Sequence, residues 1–301
     1  MRVIDAHTHT WTREILSERD LQARRIAAEK AGTDPQLDSP IEKLAIALKQ
    51  CGIERAVILP IDSGLSQTMP LSLKDKTDWH AEDVAAYSNI ITFVGIDPRR
   101  GEEGLIELER AVSEKGCRGW KIYPPNGFYP DDEKFYPYYE KCNEFEIPVV
   151  IHTGFTSRFK HVKYAQPVYV DKIATDFPTL KIVLAHVGVP WTDEALMVAS
   201  KNPNVSVDLS GWQIFASRIP VKVQQMVAEA KIMRVFPNRM MFGSDYPLFE
   251  YAMPLKEWVE FLKNLHISAE LVEQGYPQVT EDEIESVMWK NAARLFFGEK
   301  P

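Results

Sequence analysis

Arg2-Val3-Ile4-Asp5-Ala6-His7-Thr8-His9 opens the chain as a short apolar strand that runs straight into two imidazoles spaced i, i+2. On a strand this spacing sets both side chains on one face. If that face lines the mouth of a barrel, the two rings converge on one point and can share a metal ion. An HxH pair alone is a weak signal, because two polar residues ending an edge strand read the same way. The weight comes from how the later strands end.

Working outward, Arg55 to Pro60 (RAVILP) is a continuous apolar run, the mark of a strand buried on both faces. Ile91 to Ile96, Gly119 to Tyr123, Pro148 to Ile151, Lys181 to Ala185, Val205 to Leu209 and Met240 to Gly243 read as further strands. Helical patterns separate most successive pairs. Ser39-Pro40-Ile41-Glu42 has a capping-box pattern ahead of a helix that stops at Gly52, and Thr280-Glu281-Asp282-Glu283 caps the last helix. Eight alternating units in 301 residues predict a parallel sheet closed into a (β/α)8 TIM barrel, as one domain over 1–301. No Gly-x-Gly-x-x-Gly follows a strand, so the main support for a dinucleotide site is missing. Residues 10–38 are polar, helix-prone and too long for a simple connection, and they read as a lid over the mouth or as a solvated helical insertion.

The candidate ligands fall at the C-terminal ends of strands one, four, five, six and eight: His7 and His9, then Lys121, His152, His186 and Asp245. In a barrel those ends form one rim, where sites of this fold are found. Imidazoles with a carboxylate suit Zn first, and Mn, Fe, Co or Ni are not separated from it by ligand type. His80 and His266 end no strand and read as packing or surface residues.

The run Ile4-Asp5-Ala6-His7-Thr8-His9, with His152 in VIHTG, His186 in LAHVG and Asp245 in FGSDYP, resembles the amidohydrolase superfamily, and within it the amidohydrolase-2, or amidohydrolase-related, branch. The likeness extends to Asn291-Ala292-Ala293-Arg294-Leu295-Phe296 near the end. It implies that His7, His9 and Asp245 hold the principal metal and that His152 is a further ligand. His186 is then either a ligand of a second metal or the group that polarises a substrate carbonyl. It implies a metal-dependent hydrolase in which Asp245 moves the proton of an activated water. The same branch contains nonoxidative decarboxylases, and the ligands do not separate the two. Lys121 stands where binuclear members carry a carboxylated lysine that bridges two ions, while the branch is mostly mononuclear. That lysine also weakens the likeness to TatD-type nucleases, which carry an acid on this strand. A metal-binding module without catalysis is disfavoured because no ligand is missing. Asp5 shares strand parity with the histidines and reads as an acceptor behind them or as a buried structural carboxylate.

Alternation turns Lys121 and Tyr123 into the mouth and Trp120 and Ile122 towards the outer helices. The loop after His152 carries Arg158, Lys160, His161 and Lys163 among aromatics, and reads either as a grip for a small organic anion through Arg158 or as a solvated basic loop. Trp11, Phe128, Tyr129, Trp191 and Trp212 follow strands and are expected to line an aromatic pocket, with Trp11, Tyr123, Arg158 and Trp212 the substrate-binding candidates. The net charge of −8 argues against nucleic acid and anionic membrane as partners. No apolar run reaches membrane-spanning length, and no leader pattern precedes the first strand. Cys51, Cys117 and Cys142 form no CxxC and read as buried thiols of a reducing, cytoplasmic compartment. Assembly into homo-oligomers is left open.

Overall fold

Apolar side chains bury the first strand from end to end: Ile4–Thr8 (β1) has no exposed residue. In the computed structural model, which describes residues 1–300, the further strands are β2 (Arg55–Ile58), β3 (Ile90–Thr92), β4 (Val94–Gly95), β5 (Trp120–Ile122), β6 (Val149–Ile151), β7 (Ile182–Leu184), β8 (Val205–Asp208) and β9 (Met240–Met241). Every pairing is parallel, in the orders β1-β2-β3 and β4 through β9.

The single strand expected over Ile91 to Ile96 is two, β3 and β4, broken at Phe93. At the break the chain passes from one neighbour to the other: Phe93 N–H bonds Ile58 O at 3.0 Å, whereas Val94 N–H bonds Gly119 O at 2.9 Å. Phe93 fits because residue 119 has no side chain; a Cβ there would stand 2.3 Å from the ring. Together β3 and β4 fill one of eight staves. The ring closes through Ala6 N–H to Phe242 O at 3.0 Å, Asp245 N–H to His7 O at 2.8 Å and His9 N–H to Tyr246 O at 2.8 Å. The fold is the (β/α)8 barrel that the alternation predicts.

Strand parity separates two apolar layers. Trp120, Ile122, Val149, Ile151, Ile182 and Leu184 belong to the outer one, and Trp120 stacks on Tyr138 of the helix Tyr136–Glu144 with ring centroids 5.1 Å apart. Ile4, Ala6, Val57, Val150, Val183 and Met241 belong to the inner one, closed by Ala292, Ala293 and Phe296 of the last helix. Asn291 fixes that helix by donating to the carbonyls of Pro237 at 2.6 Å and Met240 at 2.8 Å.

The stretch 10–38 carries a helix, α1 (Glu18–Ala31), capped by Ser17, whose hydroxyl accepts from Asp20 N–H at 3.0 Å. Trp11 and Ser39 exchange two backbone hydrogen bonds of 2.9 and 2.8 Å and so pin the ends of the excursion together. That pairing is why the capping box expected at Ser39 does not form: its hydroxyl has no partner, and Pro40 is the cap of the helix Ile41–Cys51. Thr280 and Glu283 do form theirs. The three cysteines are free thiols. No helix among the described residues is long and apolar enough to cross a membrane.

Candidate metal centre

β1 and the residue that follows it bring two imidazoles into the closed mouth, where His7 is 1% and His9 7% exposed. What each Nδ1 touches fixes the ring. His7 Nδ1 donates to Asp208 Oδ2 at 2.9 Å, and His9 Nδ1 donates to Leu59 O, past the end of β2, at 2.8 Å. Both rings therefore turn Nε2 towards the centre, the nitrogen through which an imidazole held at Nδ1 can bind a metal. Burial, with Lys121 nearby, lowers His7 to about 4 and keeps it neutral at pH 7.

Asp245 reaches the same point from the loop after β9, in a left-handed backbone conformation (φ 56°) that aspartate tolerates better than most residues. Its Oδ1 lies 2.8 Å from His9 Nε2 and 3.7 Å from His7 Nε2, yet makes no hydrogen bond in proper geometry. Lone pairs of two imidazoles and a carboxylate meet there, all within 4.8 Å of one another. Burial alone would raise Asp245, but His9, His7 and His186 around it hold it well below the usual carboxylate range. This donor set fits a divalent ion.

His186 follows β7 in a turn where it and Val187 both have positive φ, 62° and 45°, strain of the kind found at functional sites. Its Nδ1 donates to Ser210 O at 3.0 Å, and its Nε2 lies 3.2 Å from His152 Nδ1. His152 in turn donates through Nε2 to Phe155 O. Carbonyls only accept, so the two nitrogens that face each other are both unprotonated, an arrangement that a shared cation or proton relieves. His152 contacts His186 and is not among the donors that His7, His9 and Asp245 bring within 4.8 Å of one another. Lys121 is buried, its Nζ has no partner, and burial lowers it to about 8 against the opposing pull of Asp208 and Asp245.

Two residues of this neighbourhood escape the sequence reading. Asp208 accepts from His7 Nδ1, from the backbone N–H of His186 and of Ser210 (3.1 Å each) and from the Ser210 hydroxyl. With His7 and His186 it forms a second group of donors within 4.8 Å. Its signal was available in the strand Val205 to Leu209, since Val205 and Val207 belong to the outer layer and the carboxylate has the inward parity. Asp5 touches no ring: it accepts from His7 N–H at 3.2 Å and Ser244 N–H at 3.0 Å, tying β1 to the last loop, and burial raises it to about 7. The second missed residue is Arg24 of α1.

Above the centre is a cavity of about 560 Å³, with His9, Lys121, His152, His186 and Asp245 in its wall and α1 across it. Trp11 and Tyr123 line it as expected, with Tyr123 packed on His152 at 4.4 Å between ring centroids, and Arg158 stands exposed at its edge. Trp212 does not line it. The chain turns at Gly211 (φ 78°) and sends the indole into the outer layer, where Nε1 donates to His186 O at 2.8 Å and braces the strained turn. Phe128 is likewise packed on Phe135, and Tyr129 on Tyr164 and Tyr169, away from the cavity. Trp191, too, is absent from its wall.

Residues 4–298 match the family described as amidohydrolase. A 2-keto-4-carboxy-3-hexenedioate hydratase of Sphingobium sp. strain SYK-6 is 28% identical over 237 residues, which cover 64% of this chain and 67% of the relative. Among solved structures, a zinc-bound amidohydrolase from Burkholderia multivorans superposes with a TM-score of 0.66 at 18% identity over 99% of both chains. A 5-carboxyvanillate decarboxylase from Sphingomonas paucimobilis gives 0.65 at 17% identity, over 98% of this chain and 99% of the other. The two structural likenesses bear on the fold.

Proposed function

Starting from the fact that this chain belongs to the amidohydrolase family, we propose that it is a metal-dependent hydrolase that cleaves an amide, ester or lactone bond of a small carboxylated substrate. The observation that carries the reading is the meeting of the Nε2 atoms of His7 and His9 with Asp245 at the floor of a cavity of ligand size. His7, His9 and Asp245 would hold the ion, with His186 and His152 beside them and Lys121 joining only if carboxylated. Zn is the first choice, as in the Burkholderia relative by its description, and Mn, Fe, Co or Ni fit the same donors. Such an ion supplies Lewis acidity, which acidifies water and polarises a substrate oxygen.

The remaining roles belong to the chain. Asp245 Oδ2, 3.9 Å from His186 Nδ1, is free to take a proton and return it to a leaving nitrogen or oxygen. His186, braced by Trp212, would polarise the scissile carbonyl once the Nε2 that faces His152 takes up a proton. Trp11, Tyr123 and Arg158 hold the substrate. The Sphingobium relative is named for a hydration, which needs an activated water as hydrolysis does.

Nonoxidative decarboxylation is the second reading. Its support is Lys121, a buried cation without a hydrogen-bond partner at the same floor, suited to holding the carboxylate that leaves. A panel of amides, lactones, esters and aromatic acids, each with and without a carboxyl group, separates the readings when the metal-loaded protein is followed for both bond hydrolysis and CO2 release. Hydrolysis of carboxylated members without CO2 is expected; CO2 release alone selects the second reading, and turnover of neutral substrates only refutes the carboxylated class.

A further inference from the structure

The cavity is basic although the chain is acidic. Six cationic side chains, Arg24, Lys30, Lys76, Lys121, Arg158 and Lys160, face it against the carboxylates of Asp20 and Asp245, in a chain of net charge −8. Two of the six are engaged elsewhere and two are exposed. Lys76 Nζ donates to Ile61 O at 2.7 Å, Lys160 Nζ donates to Ser66 Oγ at 2.9 Å, and Lys30 and Arg158 are exposed. Lys121 sits at the metal floor. Arg24 differs from all of them.

Its Nε is shut off from solvent and has no hydrogen-bond partner. Its flat face is occupied, because the guanidinium carbon stands 3.5 Å from the centroid of the Trp11 ring. Trp11 is a fixed platform: it pairs with Ser39 through two backbone bonds, and its Nε1 donates to Gln36 O at 3.1 Å. Stacking uses the face of a guanidinium and leaves the N–H edge, the part that makes two parallel bonds to a carboxylate. Trp11 lies two residues past His9, so the segment that aims the imidazole also sets the height of Arg24 above it. Arg24 is near enough to Asp20, and then to Asp245, for the charges to act on each other, though neither carboxylate hydrogen-bonds it.

We propose that Arg24 binds a remote carboxylate of the substrate, so that the preferred substrates are acids carrying a second anionic group besides the part that meets the metal centre. The near half of this assignment rests on the metal chemistry proposed above, and the Arg24 half does not. Desolvation lowers the guanidinium to about 10, a burial penalty that an incoming carboxylate offsets. The insertion that carries α1 thereby becomes the element that sets substrate charge, while the barrel rim sets the reaction.

The test uses isophthalate and glutarate as probes, each against its own half-amide, which keeps the shape and removes one charge. Binding is measured by titration calorimetry on the full chain purified without chelator. Wild type is expected to bind the diacids roughly ten- to a hundredfold more tightly than the half-amides, the range of a hydrogen bond to a charged group. In Arg24→Gln the diacid affinity falls to that of the half-amide, which itself changes little; Arg24→Lys, keeping the charge without the fork, retains part of the preference. A preference that survives Arg24→Gln, an equal loss for both members of a pair, or no preference in wild type overturns the proposal. Metal content of the same samples keeps the two assignments apart: a metal-bearing protein without diacid preference refutes the Arg24 site alone. Diacid preference in protein that binds no metal leaves Arg24 standing and refutes the chemistry below it.

Discussion

Replacing Asp208 by asparagine changes one oxygen to an amide nitrogen and should disarm His7, the proposed metal ligand whose ring it holds. Asp208 Oδ1 accepts from the N–H groups of His186 and Ser210, both at 3.1 Å, and from the Ser210 hydroxyl, so an asparagine keeps its oxygen there. Its NH2 then takes the place of Oδ2, 2.9 Å from His7 Nδ1. Two donors cannot share that contact, so the His7 proton moves to Nε2, the nitrogen aimed at the centre. Partners of this kind typically contribute 10- to 100-fold in metal affinity. The expected weakening is therefore about 1.4 to 2.8 kcal/mol, at about 1.4 kcal/mol per tenfold. Competition with a chelator of known zinc affinity measures it, and circular dichroism checks that the barrel is intact. A folded Asp208→Asn protein that binds zinc as tightly as wild type refutes the tautomer argument.

Lys121 provides a pH-dependent test. Burial lowers its pKa from the ordinary 10.5 to about 8. Between those values the unfolded chain holds a proton that the folded chain has released, so the stability of chelator-treated protein should rise with pH across the window, by up to about 3 kcal/mol. Denaturant melts of Lys121→Met should lack that rise and show higher stability than wild type at pH 7; equal slopes count against a buried, unpartnered ammonium. Gly119→Ala should destabilise by roughly 1 to 3 kcal/mol through overpacking, because its Cβ would stand 2.3 Å from the Phe93 ring; an unchanged melting temperature contradicts the hand-over geometry at Phe93. Trp212→Phe removes the bond from Nε1 to His186 O and should lower turnover more than substrate binding; an altered KM with unchanged kcat would return Trp212 to the substrate-binding role that the sequence suggests.

Much of the barrel was legible because its strands are short, apolar and buried on both faces, so that each ends where a polar residue appears. His7, His9, His152, His186 and Asp245 are visible on that ground, and the inward direction of Lys121 follows from parity alone. Other features depend on contacts between distant segments. The break at Phe93 arises from the neighbours on either side, and the failed cap at Ser39 from its pairing with Trp11. Arg24 is one of several arginines on a polar helix, and nothing local distinguishes it from Arg19 or Arg25 until α1 folds back and sets it on Trp11. The aromatic residues after the strands misled for the converse reason: a post-strand position does not say whether an indole turns inward or, like Trp212, into the helix layer. Beyond its inward parity, Asp208 is set apart only by contacts with His7 and with the His186 backbone, far away in the chain, which nothing within Val205 to Leu209 encodes.

The central claim is that His7, His9 and Asp245 together hold a divalent ion, and metal content per chain tests it most directly. Wild type, His9→Ala and Asp245→Asn are purified without chelator, loaded identically with zinc, desalted and analysed by inductively coupled plasma mass spectrometry alongside circular dichroism. The account predicts at least one tightly held ion in wild type and less than about a tenth of that in either folded variant, because removing one of three converging ligands leaves too few to retain it. Folded variants that keep the full wild-type content would contradict it.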